Sequence, residues 1–234
     1  MSARQHILIT GTSRGLGMAL ARHYLERGHT VIGCARSEGA LSHPSYHHFH
    51  LDVGDPQAVL DFFSEVRAQF GRLDALINNA GIARMNAFAL TPEASLESIF
   101  RVNVWGTFFC SQKAIKLLRK APHPRIVNFS SVAVPLQLEG EAAYAASKSA
   151  VETLTRIMAR ELAPFRITCN ALGPSPIETD LLKGVRREQL EQLIARQAVK
   201  TMASVEDVIH VVDFFLHPAS SQVTGQVLYL GGIS

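Results

Sequence analysis

Short apolar runs alternate with amphipathic stretches along nearly the whole chain. Most of the runs are rich in Ile, Leu and Val, and each is about as long as a single strand. Continuously apolar runs of this length are typical of strands that are buried on both faces of a sheet. They predict strands at residues 6–10, 30–34, 48–51, 73–78, 125–130, 166–171 and 226–230.

The stretches between these runs repeat their apolar positions with helical spacing. They predict helices at residues 18–27, 56–70, 144–162, 186–199 and 205–216, and two helical patterns within residues 93–118 that meet near Asn103. Gly28 is expected to close the first helix, and Asp55 followed by Pro56 is expected to begin the second. The alternation predicts one α/β domain over residues 1–234, with a parallel sheet covered on both faces.

Composition limits the classes of protein to which the chain can belong. It has 234 residues, 47% of them hydrophobic, and can therefore bury a substantial core. A formal net charge of +3 is too small to indicate nucleic-acid binding. No apolar run reaches the ~18 residues of a membrane span, and we expect no signal peptide because the first predicted strand begins at residue 6. The three well-separated cysteines suit buried positions in a reducing cytoplasm, so we expect a cytoplasmic protein.

A glycine-rich turn joins the first predicted strand to the first helix. Its spacing is Gly-x-x-x-Gly-x-Gly, from Gly11 through Gly15 to Gly17. The first glycine permits a tight turn, the second lets backbone approach a pyrophosphate, and the third lets helix and strand pack closely. The helix N-terminus then faces the anion. This order of elements predicts a dinucleotide site rather than an ordinary glycine-rich loop.

Tyr144 and Lys148 lie four residues apart in a predicted helix, and Ser131 lies thirteen residues before the tyrosine. Residues at the four-residue spacing share a helix face, so the ammonium group can lie beside the phenol. A nearby positive charge favours phenolate and would lower the pKa of Tyr144 from about 10. Such a phenol can give or take a proton near neutral pH, and Ser131 can reach the same reacting oxygen from a neighbouring loop.

These motifs, taken in order, resemble those of the short-chain dehydrogenase/reductase family over essentially the whole chain. The glycine turn, the Asn78–Gly81 segment and the Asn170–Pro174 segment all match family motifs. The resemblance implies a doubly wound Rossmann-type domain with a seven-stranded sheet in the order 3-2-1-4-5-6-7. It also implies a catalytic tetrad, which in this sequence is Asn103, Ser131, Tyr144 and Lys148.

The resemblance further implies which residues hold the cofactor. They are Gly11, Ser13, Arg14, Gly15, Leu16, Gly17, Arg36, Asp52, Val53, Asn79, Ala80, Gly81, Tyr144, Lys148, Pro174, Ile177 and Thr179. Asp52 would accept a hydrogen bond from the adenine amino group, although it could equally cap the turn in which it stands.

The end of the second predicted strand bears on the choice of cofactor. An acidic residue there binds the ribose 2′-hydroxyl of NAD, whereas an arginine accommodates the 2′-phosphate of NADP. In this chain Ala35 occupies that position, Arg36 follows it, and Arg14 stands within the glycine turn. Because guanidinium groups bind phosphate by charged hydrogen bonds, we expect NADP(H). The alternative is that Arg36 is only a solvent-facing loop residue.

The tetrad predicts hydride transfer between the nicotinamide and a substrate carbonyl. Ser131 would donate a hydrogen bond to the carbonyl oxygen, Tyr144 would deliver the proton, and Lys148 would hold the nicotinamide ribose. By resemblance, Asn103 would bend its helix and fix a proton-relaying water. Three alternatives remain: Ser130 could be the donor instead of Ser131, Asn103 could simply satisfy backbone groups at a helix junction, and Tyr144 and Lys148 could be an amphipathic surface pair.

One loop departs from the family pattern. Ser175 stands where most relatives carry glycine, and Pro176 follows it. Proline fixes its own φ and pushes the preceding residue toward extended backbone, so we expect a stiffer loop beside the nicotinamide.

The substrate pocket is expected between the segment after Ser131 and a small lobe at about residues 179–201, near Leu181 and Leu182. These walls are mostly apolar, while Glu139 and Glu141 could meet a polar substrate group or face water. By resemblance the first expectation is a 3-oxoacyl thioester on an acyl carrier protein, docked by the basic side chains of Arg125, Arg166, Arg186 and Arg187. The alternatives are a reductase of a small secondary alcohol or specialised-metabolite ketone, and a sensor or scaffold without turnover.

Four histidines, His43, His47, His48 and His50, lie close together in the sequence. No cysteine or carboxylate stands near them at zinc-like spacing, so we expect surface or strand-edge histidines and no metal site. Similar proteins are mostly homotetramers or homodimers built on two long helices, here at about residues 104–118 and 144–162.

Overall fold

In the computed structural model, residues 4–39, 41–177 and 187–233 are described. Seven parallel strands form one sheet in the order β3-β2-β1-β4-β5-β6-β7, as expected. The strands are β1 (His6–Thr10), β2 (Thr30–Ala35), β3 (Tyr46–His50), β4 (Ala75–Asn78), β5 (Arg125–Phe129), β6 (Thr168–Gly173) and β7 (Val227–Tyr229). The strand order changes direction between β1 and β4, and ligands of such sheets bind in the crevice beyond the strand ends there.

Helices cover both faces of this sheet. They are α1 (Gly15–Glu26), α2 (Pro56–Phe70), α3 (Glu93–Phe100), α4 (Gly106–Leu118), α5 (Ala133–Leu136), α6 (Ala142–Glu161), α7 (Arg187–Ala195) and α8 (Val205–Leu216). A widened helical turn, Arg101–Trp105, joins α3 to α4 and places Asn103 at its centre. None of the described helices is long and apolar enough to cross a membrane.

Alternate residues of each strand pack into separate cores on the two faces. Leu8 and Leu76 point into the core that contains α2 and α4, whereas Ile7, Ile9 and Ile77 point into the core that contains α1 and α8. This period of two is what a buried strand requires, and it explains why the runs read as continuously apolar. Cys34, Cys110 and Cys169 are free thiols buried in the first of these cores.

The predicted helix ends are largely confirmed. Asp55 caps α2, because its carboxylate accepts hydrogen bonds from Gln57 N at 2.9 Å and Ala58 N at 3.1 Å, and Pro56 is the first helical residue. Gly28 follows the last residues of α1 with a φ of 81°, a left-handed conformation that favours glycine. Helix α1 begins at Gly15, earlier than predicted, because the glycine turn itself enters the helix.

Candidate active site

A cleft of about 690 Å³ opens beyond the carboxyl ends of β1, β2 and β4. Its lining includes most of the residues expected to hold a cofactor. These are Gly11, Ser13, Arg14, Gly15, Leu16, Gly17, Arg36, Asp52, Val53, Asn79, Ala80 and Gly81. The sheet therefore gathers segments from four separate parts of the chain around one elongated space.

The glycine turn has the conformation that its spacing requires. Gly11 and Gly15 have φ values of 77° and 57°, and no atom lies within 4 Å of a Cβ built on Gly15. A Cβ on Gly17 would lie 2.2 Å from the Gly11 carbonyl oxygen, so α1 approaches the turn too closely for any other residue. The open space at Gly15 and the N-terminus of α1 leave room for an anion against backbone.

Asn79 and Thr10 hold this turn against β4, a role that the sequence did not reveal. Asn79 Nδ2 donates to the carbonyl oxygens of Thr10 at 2.9 Å and Gly11 at 3.2 Å. Thr10 Oγ1 in turn accepts from the backbone N–H groups of Asn79 and Ala80, at 3.1 and 2.9 Å. The Asn79 side chain thus fixes the glycine turn, and Asn79 also lines the wall of the cleft.

Asp52 also serves the local structure, as the alternative interpretation held. Its carboxylate accepts from Gly54 N at 2.9 Å and lies 3.4 Å from the Arg101 guanidinium. It nevertheless lines the cleft, together with the exposed Arg36 at the end of β2.

A second cavity of about 400 Å³ is continuous with the cleft, because Leu16, Asn79, Gly81 and Ala83 line both. Five further predicted site residues line this cavity, namely Ser131, Tyr144, Lys148, Pro174 and Ile177. Thr179, Leu181 and Leu182 lie outside the described residues.

Tyr144 lies in the first turn of α6 and is partly buried in the wall of the cavity. Burial raises the pKa of Tyr144 to about 12, a hydrogen bond with Ser131 lowers it, and the nearby Glu141 charge raises it. The predicted lowering of this pKa by Lys148 is not found, because desolvation of the phenolate outweighs the other effects. Tyr144 is therefore a protonated hydroxyl at neutral pH, held beside Ser131.

Lys148 lies one helical turn after Tyr144 and is buried. Its Nζ is 5.8 Å from the centre of the Tyr144 ring and donates a hydrogen bond to the Phe129 carbonyl oxygen at 2.8 Å. Burial lowers the pKa of Lys148 from 10.5 to about 8. The predicted sharing of one helix face is confirmed.

Asn103 holds the segment after β4 rather than pointing into the cavity. Its Oδ1 accepts from Ile82 N at 2.9 Å, and its Nδ2 donates to the Ile82 carbonyl oxygen and to Ser147 Oγ, both at 3.0 Å. These contacts match the alternative in which Asn103 satisfies backbone groups at a helix junction. A Cβ on Gly81 would lie 3.4 Å from both Asn103 Oδ1 and Lys148 Nζ, so Asn103 stands next to the lysine.

Ser130 is directed away from Tyr144 by a buried carboxylate. Its Oγ donates to Glu152 Oε1 at 2.5 Å, and the Tyr229 hydroxyl donates to the same oxygen. Arg156 lies 3.6 Å from the other oxygen of Glu152. Ser130 is thus committed to Glu152, whereas Ser131 is near enough to Tyr144 to lower the pKa of its phenol, so the arrangement favours Ser131 over Ser130 as the hydrogen-bond donor.

The loop with Ser175 and Pro176 is well anchored. Ser175 is buried, the Pro174 carbonyl oxygen accepts from Val132 N at 3.3 Å, and the Pro176 carbonyl oxygen accepts from Ala203 N at 3.1 Å. The loop therefore has fixed contacts on both sides, and Pro174 to Ile177 form one wall of the cavity.

Arg84 and Glu141 also line the cavity, and the sequence did not place Arg84 there. Glu139, considered beside Glu141, is exposed and is not part of the wall. The apolar character predicted for the pocket is thus interrupted by two charged side chains in addition to Lys148.

The expected docking role of the basic residues needs correction. Arg125 is buried, and its guanidinium donates to the carbonyl oxygens of Pro124, His217 and Pro218. Arg125 is the first residue of β5 and Arg166 precedes β6, so both lie at the opposite edge of the sheet from the cavity. Arg187 is exposed and forms a 2.9 Å ion pair with Glu191, and Arg186 lies outside the described residues.

The histidine-rich segment forms most of β3. His48 interacts with the Tyr46 hydroxyl at 2.9 Å and the Ser37 carbonyl oxygen at 3.0 Å. Within residues 4–39, 41–177 and 187–233, no three His, Cys, Asp or Glu side chains are arranged to hold a metal ion.

Comparison with known sequences places this architecture among enzymes. A family model described as "Enoyl-(Acyl carrier protein) reductase" matches residues 11–233. The 3-oxoacyl-[acyl-carrier-protein] reductase of Escherichia coli is 32% identical over 231 residues, which cover 96% of this chain and 95% of that protein. The Staphylococcus aureus protein of the same name is 31% identical and covers 99% of this chain and 98% of its own length.

Two solved structures share the fold. A gluconate 5-dehydrogenase from Burkholderia cenocepacia, in complex with NADP and tartrate, has a TM-score of 0.92 and 30% identity, covering 99% of this chain and 95% of that chain. The ligand-free aldohexose dehydrogenase of Thermoplasma acidophilum has a TM-score of 0.88 and 28% identity, covering 98% and 93%. The chain therefore belongs to the short-chain dehydrogenase/reductase family of oxidoreductases.

Proposed function

We propose that the protein is an NADPH-dependent reductase of a carbonyl compound. The observation that carries this proposal is the meeting of Ser131, Tyr144 and Lys148 in a cavity that is continuous with the glycine-lined cleft. Such an arrangement supports reduction because it places hydroxyl donors where a carbonyl oxygen would gain negative charge.

The cleft fits a dinucleotide in its dimensions and its donors. The turn at Gly15 would receive the pyrophosphate, Asp52 and Val53 the adenine side, and Pro174 and Ile177 the carboxamide side. Arg36 is exposed at the lip of the cleft and Arg14 is part of its wall, which supports recognition of a 2′-phosphate and hence NADP(H). The NADP complex of the Burkholderia protein agrees with this choice.

When bound, the reduced nicotinamide would supply hydride to the carbonyl carbon. Ser131 then donates a hydrogen bond to the carbonyl oxygen, and the Tyr144 hydroxyl delivers the proton to that oxygen. The high pKa of Tyr144 keeps its hydroxyl in the proton-donating form at neutral pH. Lys148, charged below about pH 8, would bind the ribose hydroxyls. Asn103 holds the residues around Lys148 in place through its hydrogen bonds with Ile82 and Ser147.

The first candidate substrate is a 3-oxoacyl thioester carried by an acyl carrier protein. The names of the curated relatives support it, as do the apolar walls at Val132, Leu138 and Leu193. A small polar ketone is the second candidate, because Glu141 and Arg84 bring charge into the cavity and both structural relatives are named for sugar or sugar-acid substrates. The presence of all four tetrad residues argues against a sensor without turnover.

A substrate panel tests the proposal. Purified protein would be mixed with NADPH or NADH and with acetoacetyl-coenzyme A, alkyl ketones or hydroxyketones, and the nicotinamide absorbance followed. We expect oxidation of NADPH, in preference to NADH, with at least one class. Lack of oxidation of both cofactors across the panel would contradict the reductase assignment.

A further inference from the structure

The carboxyl group of Glu141 lines the cavity and does not cap helix α6, which begins directly after this residue. It is the N-cap residue of α6, a position whose side chain commonly accepts a hydrogen bond from the first turn. No such bond is made, and the side chain lines the cavity together with Ser131 and Tyr144. The side chain is thus directed toward the place where a substrate would lie.

Within the described part of the chain this carboxyl group has no partner. Burial raises the pKa of Glu141, and neither a cation nor a hydrogen bond offsets that effect. Arg84 lines the same cavity but forms no ion pair with it among the described residues. The charge is near enough to Tyr144 to raise the pKa of the phenol.

Water in the cavity can hydrate this half-buried carboxylate, and a substrate that displaces the water leaves the carboxylate at a cost unless the substrate itself donates a hydrogen bond. A purely alkyl substrate would remove water from Glu141 and offer nothing in return. A substrate hydroxyl would supply the missing hydrogen bond, and sites of this kind discriminate strongly against analogues that lack the hydroxyl.

We propose that Glu141 determines specificity by accepting a hydrogen bond from a hydroxyl group of the substrate, so that the cavity selects hydroxyketones over alkyl ketones of the same size. This inference rests on the proposed reductase function and narrows its substrate class. Glu141 binds the part of the substrate that does not react, and the proton transfer remains with Tyr144.

Matched ketone pairs test this selection. Each pair has the same number of heavy atoms and differs by a hydroxyl in place of a methyl group, beginning with hydroxyacetone and butanone. In longer pairs the hydroxyl lies two or three carbons from the carbonyl. The measured quantity is the ratio of kcat/KM within a pair, because a general loss of activity cancels from that ratio.

The wild type is expected to prefer the hydroxyketone by about tenfold or more in at least one pair. Glu141→Leu should bring the ratio close to one, and Glu141→Gln, which keeps an acceptor oxygen and the shape, should give an intermediate ratio. Glu139→Gln is the matched control, because Glu139 is exposed on the same segment and outside the cavity wall. It should retain the wild-type ratio.

A ratio that stays at the wild-type value in both Glu141 variants overturns the inference while leaving the reductase function intact. The inference is also overturned if the wild type reduces acetoacetyl-coenzyme A but shows no preference within any ketone pair. It is overturned as well if the wild type reduces acetoacetyl-coenzyme A but neither the hydroxyketones nor the alkyl ketones. Absence of NADPH oxidation with the thioester and with every ketone would instead reject the reductase function on which the inference rests.

Discussion

Lys148 carries a charge that the folded protein accommodates at a cost. Its pKa falls from 10.5 to about 8 because burial disfavours the ammonium group. The spacing of Tyr144 and Lys148 could be read from the sequence, since any helix brings them to one face. The direction of the Tyr144 pKa shift could not, because it depends on how deeply the β5 and β6 ends bury the phenol.

Lys148→Met is expected to stabilise the protein at neutral pH. Between about pH 8 and 10.5 the unfolded chain binds more protons at this residue than the native state does. The destabilisation caused by the buried ammonium charge is therefore fully present below pH 8 and absent above 10.5. The pKa shift of Lys148 limits the gain in the free energy of unfolding to about 3 kcal/mol. Loss of the hydrogen bond to Phe129 reduces that gain to about 1–2 kcal/mol.

Urea unfolding of this variant at pH 7 and near pH 10.5 measures the effect. The gain should shrink at the higher pH, and reductase activity should be lost. Lys116→Met, at an exposed lysine of α4, serves as the control and should show neither change. A gain that is equal at both pH values would mean that the Lys148 charge is not its cause.

Arg36→Ala tests the choice of cofactor at the residue scale. Loss of a guanidinium–phosphate contact should raise the KM for NADPH by about tenfold or more and leave the KM for NADH nearly unchanged. The comparison variant is Arg22→Ala, an exposed arginine of α1 outside the cleft lining. Equal effects on the two cofactors would refute the assigned role of Arg36.

At the scale of elements, the hydrophobic pattern predicted the described strands and the long helices, with ends that differ by a few residues. Strand β3 begins at Tyr46 rather than residue 48, because pairing of Tyr46 with Val31 extends a strand that carries little apolar signal of its own. Helix α5 was not predicted, since four residues that include Pro135 give no helical period. Contacts between elements that are distant in the sequence could not be predicted either, and the hydrogen bonds of Glu152 with Ser130 and Tyr229 are an example.

Glu152 joins α6 to β7 and to the residue after β5 through Tyr229 and Ser130. Glu152→Ala would leave two hydroxyl donors without their acceptor in a region that is largely buried, and each such loss costs about 1–3 kcal/mol. We expect a lower free energy of unfolding by about 2–4 kcal/mol. Glu161→Ala, an exposed glutamate at the end of the same helix, should change it little in parallel urea titrations. Equal stability of the two variants would remove this role from Glu152.

At the scale of the whole molecule, the family resemblance implied the strand order, and the position of the cleft follows from that order. The identity of the substrate and the state of assembly do not follow from it. The outer side of the α4 region exposes Trp105 and Phe108, and α6 exposes Ile157, by 51%, 44% and 47%. Apolar side chains left this exposed on neighbouring helices favour contact with a second copy. We therefore propose a homodimer or homotetramer built on these helices.

Phe108→Glu is expected to shift the protein toward the monomer, because a charge at an apolar contact remains unpaired there. Light scattering coupled to size-exclusion chromatography gives the mass directly. The comparison is Leu60→Glu, at a 42% exposed leucine of α2, which should leave the mass unchanged. A wild type that already elutes as a monomer would reject the proposed assembly.

The central claim is that the Tyr144 hydroxyl delivers the proton in a reduction that uses NADPH. Its most direct test is the turnover of Tyr144→Phe, with NADPH affinity measured on the same sample by fluorescence titration. The account predicts a loss of kcat by about 10²- to 10⁴-fold with nearly unchanged affinity, and no such loss in Tyr24→Phe, whose hydroxyl bonds to Asp213 away from the cavity. Turnover of Tyr144→Phe at the wild-type rate would contradict it.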